Sequence, residues 1–206
     1  MEDAVDFIAQ RYTSRGLILS AESMGALVAM HYLLRNNQKE HLLFEKLLLW
    51  SPAFRPNLTE GWAKDWQYML NLGMGLVYQR SIPTIEVDHS KTFSDPNALT
   101  YHMMDPLILK KISAQYLLKI STAMDRLWQN AVQIPKVLPI CIFHAQHDFL
   151  VNQRASFDYF QKYLKTPRNR YYFVNKSWHA LFYDHNFTDQ HWVSARLFIQ
   201  RSNISE

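Results

Sequence analysis

Short apolar runs alternate with amphipathic segments along most of the chain, and this pattern predicts strands separated by helices. The apolar runs cover residues 17–19, 46–50, 139–144 and 170–174. Apolar residues at spacings of three and four predict helices over 3–12, from 24 to about 36, around 157–164 and over 191–200. Because helices join these strands, the strands should be parallel, and we predict an α/β fold.

The segment 55–135 interrupts this alternation. Its apolar residues recur at helical spacing around Trp62, Trp66 and Met69, and a second helical pattern lies between residues 107 and 132. An insertion of this size far exceeds the usual connection of about two to six residues. We therefore expect a mainly helical cap or lid over 55–135, inserted into a core formed by 1–54 and 136–206.

Composition narrows the class of protein. The chain has 206 residues, of which 48% are apolar and 19% charged, so one domain with a packed core is expected and disorder is excluded. The formal charge of +4 comes from basic residues scattered along the chain, so the sequence does not show the basic cluster that indicates nucleic-acid binding. The single cysteine, Cys141, excludes a disulfide framework and favours a reducing compartment.

Localisation is predicted from the start of the chain and from its apolar stretches. The first six residues carry three acids and no basic group, so they do not have the pattern of a signal peptide. No uncharged stretch reaches the roughly 18 residues that cross a bilayer. We expect a cytoplasmic protein that contacts a membrane peripherally through its cap.

Ser23 is the candidate nucleophile. It lies between a predicted buried strand and a predicted helix, with Ala21 two residues before it and Gly25 two residues after it. A sharp turn of this kind exposes the serine hydroxyl, and small neighbours let strand and helix approach. The N–H of Met24, at the start of the helix, is expected to bind an oxyanion.

An acid and a base follow two later strands in the order that a serine nucleophile requires. Asp148 follows the run 139–144, and His179 follows the run 170–174. Since the carboxyl ends of parallel strands share one edge of a sheet, these side chains should meet Ser23 there. The sequence therefore predicts a Ser23–Asp148–His179 triad.

Other residues compete for two of these roles. Asp158 lies on a predicted helix and Asp184 on a late loop, and either is an alternative acid. His185 is the alternative base.

His144 and His147 lie close to Asp148 in sequence, a grouping that can indicate a metal site. A strand end cannot point these three side chains at one centre, and no second cluster completes a ligand set. We therefore expect neither a metal nor another cofactor. His147 is expected to pack beside the acid.

Three segments around the candidate triad and two segments of the predicted cap carry a resemblance to a known family. Residues 21–26 correspond to its Gly-His-Ser-Met-Gly-Gly turn, 145–151 to its Gly-x-x-Asp-x-x-Val segment and 179–181 to its His-x-Leu segment. Residues 94–96 and 105–107 are similar to Ser-x-Asp-Pro and Asp-Pro-Leu of its cap. The chain resembles the monoacylglycerol lipase and lysophospholipase branch of the α/β-hydrolases, related to serine aminopeptidases. The resemblance covers nearly the whole chain and implies an α/β-hydrolase fold, a mainly parallel sheet with flanking helices and an inserted helical cap.

The resemblance also implies an activity. A serine ester hydrolase of this branch acts through an acyl-enzyme on a single-acyl lipid, either a monoacylglycerol or a lysophospholipid. Trp62, Trp66 and Met69 would then face the acyl chain or a lipid surface. The structural alternative is that this stripe is the buried face of a cap helix.

The chain departs from the family pattern at the turn around Ser23. Ala21 and Ala26 replace glycines, and Glu22 replaces a histidine. Glu22 either raises the basicity of a nearby imidazole or packs away from it.

A second departure concerns the start of the chain. The family counts the strand before Ser23 as its fifth, and residues 1–16 contain no counterpart of its His-Gly oxyanion loop. We expect an N-terminally truncated form of the fold with an exposed sheet edge. The alternative functions are then an impaired fragment or pseudoenzyme that serves as an interaction module, self-associating at this edge, or half of a split hydrolase completed by an upstream polypeptide.

Overall fold

A computed structural model of the protein describes residues 2–11, 16–37, 43–57, 84–136 and 138–200. The helices are α1 (Glu2–Arg11), α2 (Met24–Arg35), α3 (Pro96–Met104), α4 (Ala114–Gln129), α5 (Gln153–Tyr159) and α6 (Asp189–Gln200). The strands are β1 (Leu17–Glu22), β2 (Phe44–Trp50), β3 (Thr84–Glu86), β4 (Lys111–Ser113), β5 (Ile140–Ala145) and β6 (Arg170–Val174). Short 3₁₀ turns lie at Ala131–Gln133 and Leu181–Tyr183, and a π-helical turn at Phe160–Leu164 continues α5.

Four strands form one parallel sheet in the order β1-β2-β5-β6, which confirms the predicted α/β architecture. In the register, Leu49 pairs with Ala21 on one side and with Ile142 on the other. The strands β2 and β5 are almost continuously apolar because helices cover both faces of the sheet. All four strands end at the same edge, and the candidate site lies there.

The core has two parts, one on each face of the sheet. Alternate residues of β2 point to opposite faces, so Leu47 and Leu49 join the cluster under α2, α4 and α5. Leu48 and Trp50 join the second cluster, which packs against Phe198 of α6. This packing fixes the strand ends that carry the site.

The inserted segment contains an antiparallel ladder that the sequence did not predict. The strands β3 and β4 pair with Ile85 opposite Ile112. Each strand has only three residues, which is too short to show a period of two, and the sequence therefore predicted this segment as mainly helical. The helices α3 and α4 agree with that expectation. None of the helices in the described ranges is long and apolar enough to cross a membrane.

Candidate active site

Ser23 occupies a sharp turn between β1 and α2. Its backbone has φ 50° and ψ −118°, a left-handed conformation that L residues other than glycine rarely adopt. The Ser23 N–H donates to the carbonyl of Trp50 at 2.9 Å, and the Ser23 carbonyl accepts from the N–H groups of Ala26 at 3.1 Å and Ala53 at 3.0 Å. The surrounding backbone therefore holds this strained turn from both sides.

The close contact between α2 and the sheet is made by Ala26 rather than by Gly25. Ala26 is fully buried in the core. A Cβ built on Gly25 would meet no atom of the described residues within 4 Å, and Gly25 does not have a positive φ. Gly25 lies on the exposed side of the helix, and Ala26 is the small residue that packs in the core.

The structure brings Ser23, His179 and Asp148 together in a line. Nε2 of His179 lies 2.9 Å from Oγ of Ser23, and Nδ1 of His179 lies 2.7 Å from Oδ2 of Asp148. Because the carboxylate only accepts, Nδ1–H must donate to it, and Nε2 is left to accept the hydroxyl proton of Ser23. The three residues follow β1, β6 and β5, as the shared sheet edge predicts.

Asp148 is held so that one oxygen faces His179. Its Oδ1 accepts from the N–H groups of Leu150 and Val151, each at 2.9 Å. The Asp148 carbonyl accepts from Nδ2 of Asn57 at 2.8 Å. Burial opposes ionisation of this carboxyl, but the charge of the nearby His179 and the hydrogen bond to its Nδ1 hold the pKa of Asp148 well below its ordinary value. Asp148 is therefore a fixed negative charge.

His179 has its pKa raised by its acidic neighbours. Burial alone would lower it, but the charge of Asp148, the hydrogen bond to that carboxylate and the charge of Glu22 raise it above its ordinary value. Burial in turn raises the pKa of Glu22, and attraction to His179 lowers it in part. These directions are the ones expected if Glu22 acts on the imidazole.

The competing acids and base have other partners. Asp158 is exposed and forms an ion pair with Arg154 at 3.2 Å. His185 is exposed and lies 3.3 Å from the side-chain amide of Asn186. Asp184 is buried, and its carboxylate accepts hydrogen bonds from other groups described below. The geometry therefore selects His179 for contact with Ser23 and Asp148 for contact with His179.

The histidine beside Asp148 is His144, and the expectation that His147 packs there is wrong. His144 is fully buried at 3.4 Å from Oδ2 of Asp148, whereas His147 is exposed. The strand β5 extends to Ala145, which directs residue 144 inward and leaves residue 147 in the turn that follows. Across the described ranges, no group of three or more His, Cys, Asp or Glu side chains could hold a metal ion.

Ser51 is a site residue that sequence reasoning missed. It follows β2 as Ser23 follows β1, and its backbone also has a positive φ, of 41°. Its hydroxyl donates to the main-chain carbonyl of His179 at 3.0 Å. The contact runs to a backbone atom, so no pattern of side chains in the sequence reports it.

Met24 begins α2, directly after Ser23. The first N–H groups of a helix have no partner within the helix, so this end of α2 presents donors beside the serine. The Sδ atom of Met24 accepts a hydrogen bond from the hydroxyl of Tyr116 on α4 at 2.8 Å.

The predicted substrate-contacting residues Trp62, Trp66 and Met69 lie outside the described residues.

Comparison with known proteins gives one family and many similar structures. Residues 1–186 match the family model described as serine aminopeptidase, S33. No curated protein is significantly similar in sequence to the chain.

Three solved structures illustrate the structural similarity. The monoacylglycerol lipase of Paleococcus ferrophilus has a TM-score of 0.75 at 19% identity, covering 98% of this chain and 76% of the lipase. A soluble variant of the monoglyceride lipase of Saccharomyces cerevisiae has a TM-score of 0.79 at 13% identity, covering 100% and 67%. A thermostable carboxyl esterase of Bacillus coagulans has a TM-score of 0.71 at 16% identity, covering 98% and 71%. At these identities the similarity shows the fold.

Proposed function

The chain belongs to the serine aminopeptidase S33 family of hydrolases, with the α/β-hydrolase fold, and from this premise we propose that it hydrolyses carboxylic esters through Ser23, His179 and Asp148. The observation that carries this proposal is the continuous pair of hydrogen bonds, 2.9 Å from Ser23 Oγ to His179 Nε2 and 2.7 Å from His179 Nδ1 to Asp148. A nucleophile, its base and the group that orients the base are thus in the geometry that nucleophilic catalysis requires.

In the first half of the reaction, Ser23 Oγ attacks the carbonyl carbon of the ester while His179 Nε2 takes the hydroxyl proton. The N–H of Met24 donates to the oxyanion that develops on the carbonyl oxygen. His179 then gives its proton to the leaving alcohol as the carbon–oxygen bond breaks, and the acyl group remains on Ser23.

In the second half, His179 takes a proton from water, and the resulting hydroxide adds to the acyl carbon. Breakdown of this intermediate releases the carboxylic acid and returns the proton to Ser23. Asp148 keeps its charge throughout, since its pKa lies well below the ordinary value, and it stabilises the imidazolium that forms twice.

The proposed substrate is an ester with a single acyl chain, a monoacylglycerol or a lysophospholipid. The motifs shared with the monoacylglycerol lipase branch support this substrate class. Two of the similar structures are, by their own titles, a monoacylglycerol lipase and a monoglyceride lipase. In this proposal Trp62, Trp66 and Met69 of the cap contact the acyl chain and bring the protein to a lipid surface.

The test of the nucleophile is labelling by a fluorophosphonate probe together with turnover of p-nitrophenyl butyrate. We expect the wild type to label and turn over and Ser23→Ala to do neither. Ser194→Ala is the matched control, because Ser194 is half-buried on α6 and its hydroxyl donates to the Gln190 carbonyl of its own helix. A wild type that labels no faster than Ser23→Ala would refute the proposal.

The base and the substrate class have separate tests. His179→Ala should abolish labelling, and His185→Ala should leave it unchanged. With an active wild type, monoacylglycerol and lysophosphatidylcholine should be cleaved faster than a triacylglycerol or an amino-acid p-nitroanilide. Preference for the p-nitroanilide would replace the ester by an amide as the natural substrate while keeping the same residues.

A further inference from the structure

The inserted segment bonds to the loop that carries His179 directly after that residue, and through Asp184 before it. After His179, the N–H of Ala180 donates to the carbonyl of Thr92 at 3.0 Å. Before it, the N–H of Trp178 donates to Oδ2 of Asp184 at 2.7 Å. The hydroxyl of Ser94 donates to that same oxygen, also at 2.7 Å. We call Thr92, Ser94 and Asp184 the histidine clamp.

The Asp184 carboxylate at the centre of the clamp is buried and fully used. Its Oδ2 binds Trp178 and Ser94, and its Oδ1 accepts from the backbone N–H and the side-chain amide of Asn186, each at 2.9 Å. Four donors account for the acceptor sites of an ionised carboxylate. An amide in place of Asp184 would turn a donor group toward one of these donors, so the site is specific for the ionised acid.

Phe93 packs the inserted segment against the same loop. Phe93 lies between Thr92 and Ser94 in the sequence, and its side chain is buried. Its ring centroid lies 4.8 Å from that of His102 on α3 and 5.6 Å from that of Tyr183. The segment therefore packs on the turn that follows His179 as well as bonding to it. Movement of the segment would move both peptide groups next to His179.

We propose that Asp184 is a positioning residue, which holds the His179 imidazole in line with Ser23 and Asp148 by tying its loop to the Ser94 hydroxyl of the inserted segment. The catalytic part of this inference rests on the proposed function. Asp184 touches neither the serine nor the imidazole, and it acts through the peptide group of Trp178. Removal of Ser94 unties the loop from the inserted segment but keeps the bond between Asp184 and the Trp178 N–H, whereas removal of Asp184 breaks both bonds, so the two effects are graded.

The test compares Asp184→Asn, Ser94→Ala and Ser94→Thr with two controls, Asp158→Asn and Ser194→Ala. Histidine labelled with ¹⁵N reports the low-field proton on Nδ1 of His179 by NMR, without any turnover. Fluorophosphonate labelling and the separate values of kcat and KM report the reaction. Circular dichroism shows which variants are folded.

We expect Asp184→Asn to lose or broaden the His179 proton signal and to lower kcat about 100-fold, with KM changed by less than about twofold, because a small misplacement of a reacting group carries such a cost. Ser94→Ala should lower kcat about tenfold. Ser94→Thr, which keeps the hydroxyl, and both controls should behave as the wild type. A folded Asp184→Asn with the wild-type signal and labelling rate would overturn the proposal.

Two further outcomes also decide it. If Asp184→Asn does not fold, Ser94→Ala takes its place, and a wild-type His179 signal in that variant overturns the clamp. If the wild type does not label at Ser23, the proposed function fails. The NMR signal still supports or overturns the positioning of His179 in that case.

Discussion

Nε2 of His144 lies 3.4 Å from Oδ2 of Asp148, and both side chains are fully buried. This distance exceeds that of a well-formed hydrogen bond, and neither ring nitrogen of His144 has a hydrogen-bond partner among the described residues. Burial lowers the pKa of His144, although Asp148 opposes this effect, so the imidazole stays neutral. Of the two histidines beside the Asp148 carboxylate, His179 is therefore the one that can carry a positive charge.

Replacement of His144 by phenylalanine should be well tolerated. The ring volume is kept and two unsatisfied buried nitrogens are removed, so we expect the free energy of unfolding to change by less than about 1 kcal/mol. His144→Ala is the comparison and should lose about 2–5 kcal/mol through the cavity it leaves. Urea unfolding measures both. A loss above about 2 kcal/mol in His144→Phe would show that the His144–Asp148 contact is a stabilising hydrogen bond.

Replacement of Asp148 by asparagine should nearly abolish turnover. The amide cannot stabilise an imidazolium and favours the tautomer with its proton on Nε2, so kcat for p-nitrophenyl butyrate should fall on the order of 10⁴-fold. Asp158→Asn is the control, since that carboxylate is exposed and pairs with Arg154. Equal losses in the two variants would exclude Asp148 as the orienting acid.

The acid limb of the pH profile should move when Glu22 is neutralised. His179 must be neutral to accept the proton of Ser23, and its raised pKa places the limb of kcat/KM above the ordinary histidine value. The charge of Glu22 contributes to that rise, so Glu22→Gln should shift the limb to lower pH. Glu45→Gln, at an exposed position of β2, should not. An unchanged limb in Glu22→Gln would mean that Glu22 does not act on the imidazole.

Asp184 should stabilise the fold in a pH-dependent way. Burial opposes ionisation of its carboxyl, but the hydrogen bonds from Trp178, Ser94 and Asn186 hold its pKa below the ordinary value. A lowered folded pKa contributes stability above the unfolded value of about 3.9, and this contribution disappears as the pH falls through the folded pKa. The stability lost in Asp184→Asn should therefore shrink as urea unfolding is repeated from pH 5 downward. A loss independent of pH would assign it to packing.

The sheet could be predicted from the sequence because buried parallel strands appear in it as apolar runs. The run 170–174 coincides with β6, and the run 139–144 differs from β5 by one residue at each end. The ladder of β3 and β4 could not be found, since three residues show no periodicity. The π-helical turn after α5 was likewise absorbed into one predicted helix, because both turns place apolar residues at similar spacings.

At the site, the sequence predicted the side chains that end strands and missed those that act through the backbone. Ser23, Asp148 and His179 could be expected to approach one another because parallel strands end at one edge. Ser51 and Thr92 contact main-chain atoms of the loop around His179. Such contacts depend on how loops pack in space, and residue type alone does not specify them.

At position 23, the residue that the reaction requires differs from the residue that would give the greater thermal stability. A residue other than glycine held at φ 50° costs about 1–3 kcal/mol, a cost that glycine would avoid. Ser23→Gly should therefore raise the midpoint of thermal unfolding while it removes the hydroxyl. A library of variants screened only for survival on heating would drift away from serine here, so any stabilisation of this protein needs a screen that also reads the nucleophile.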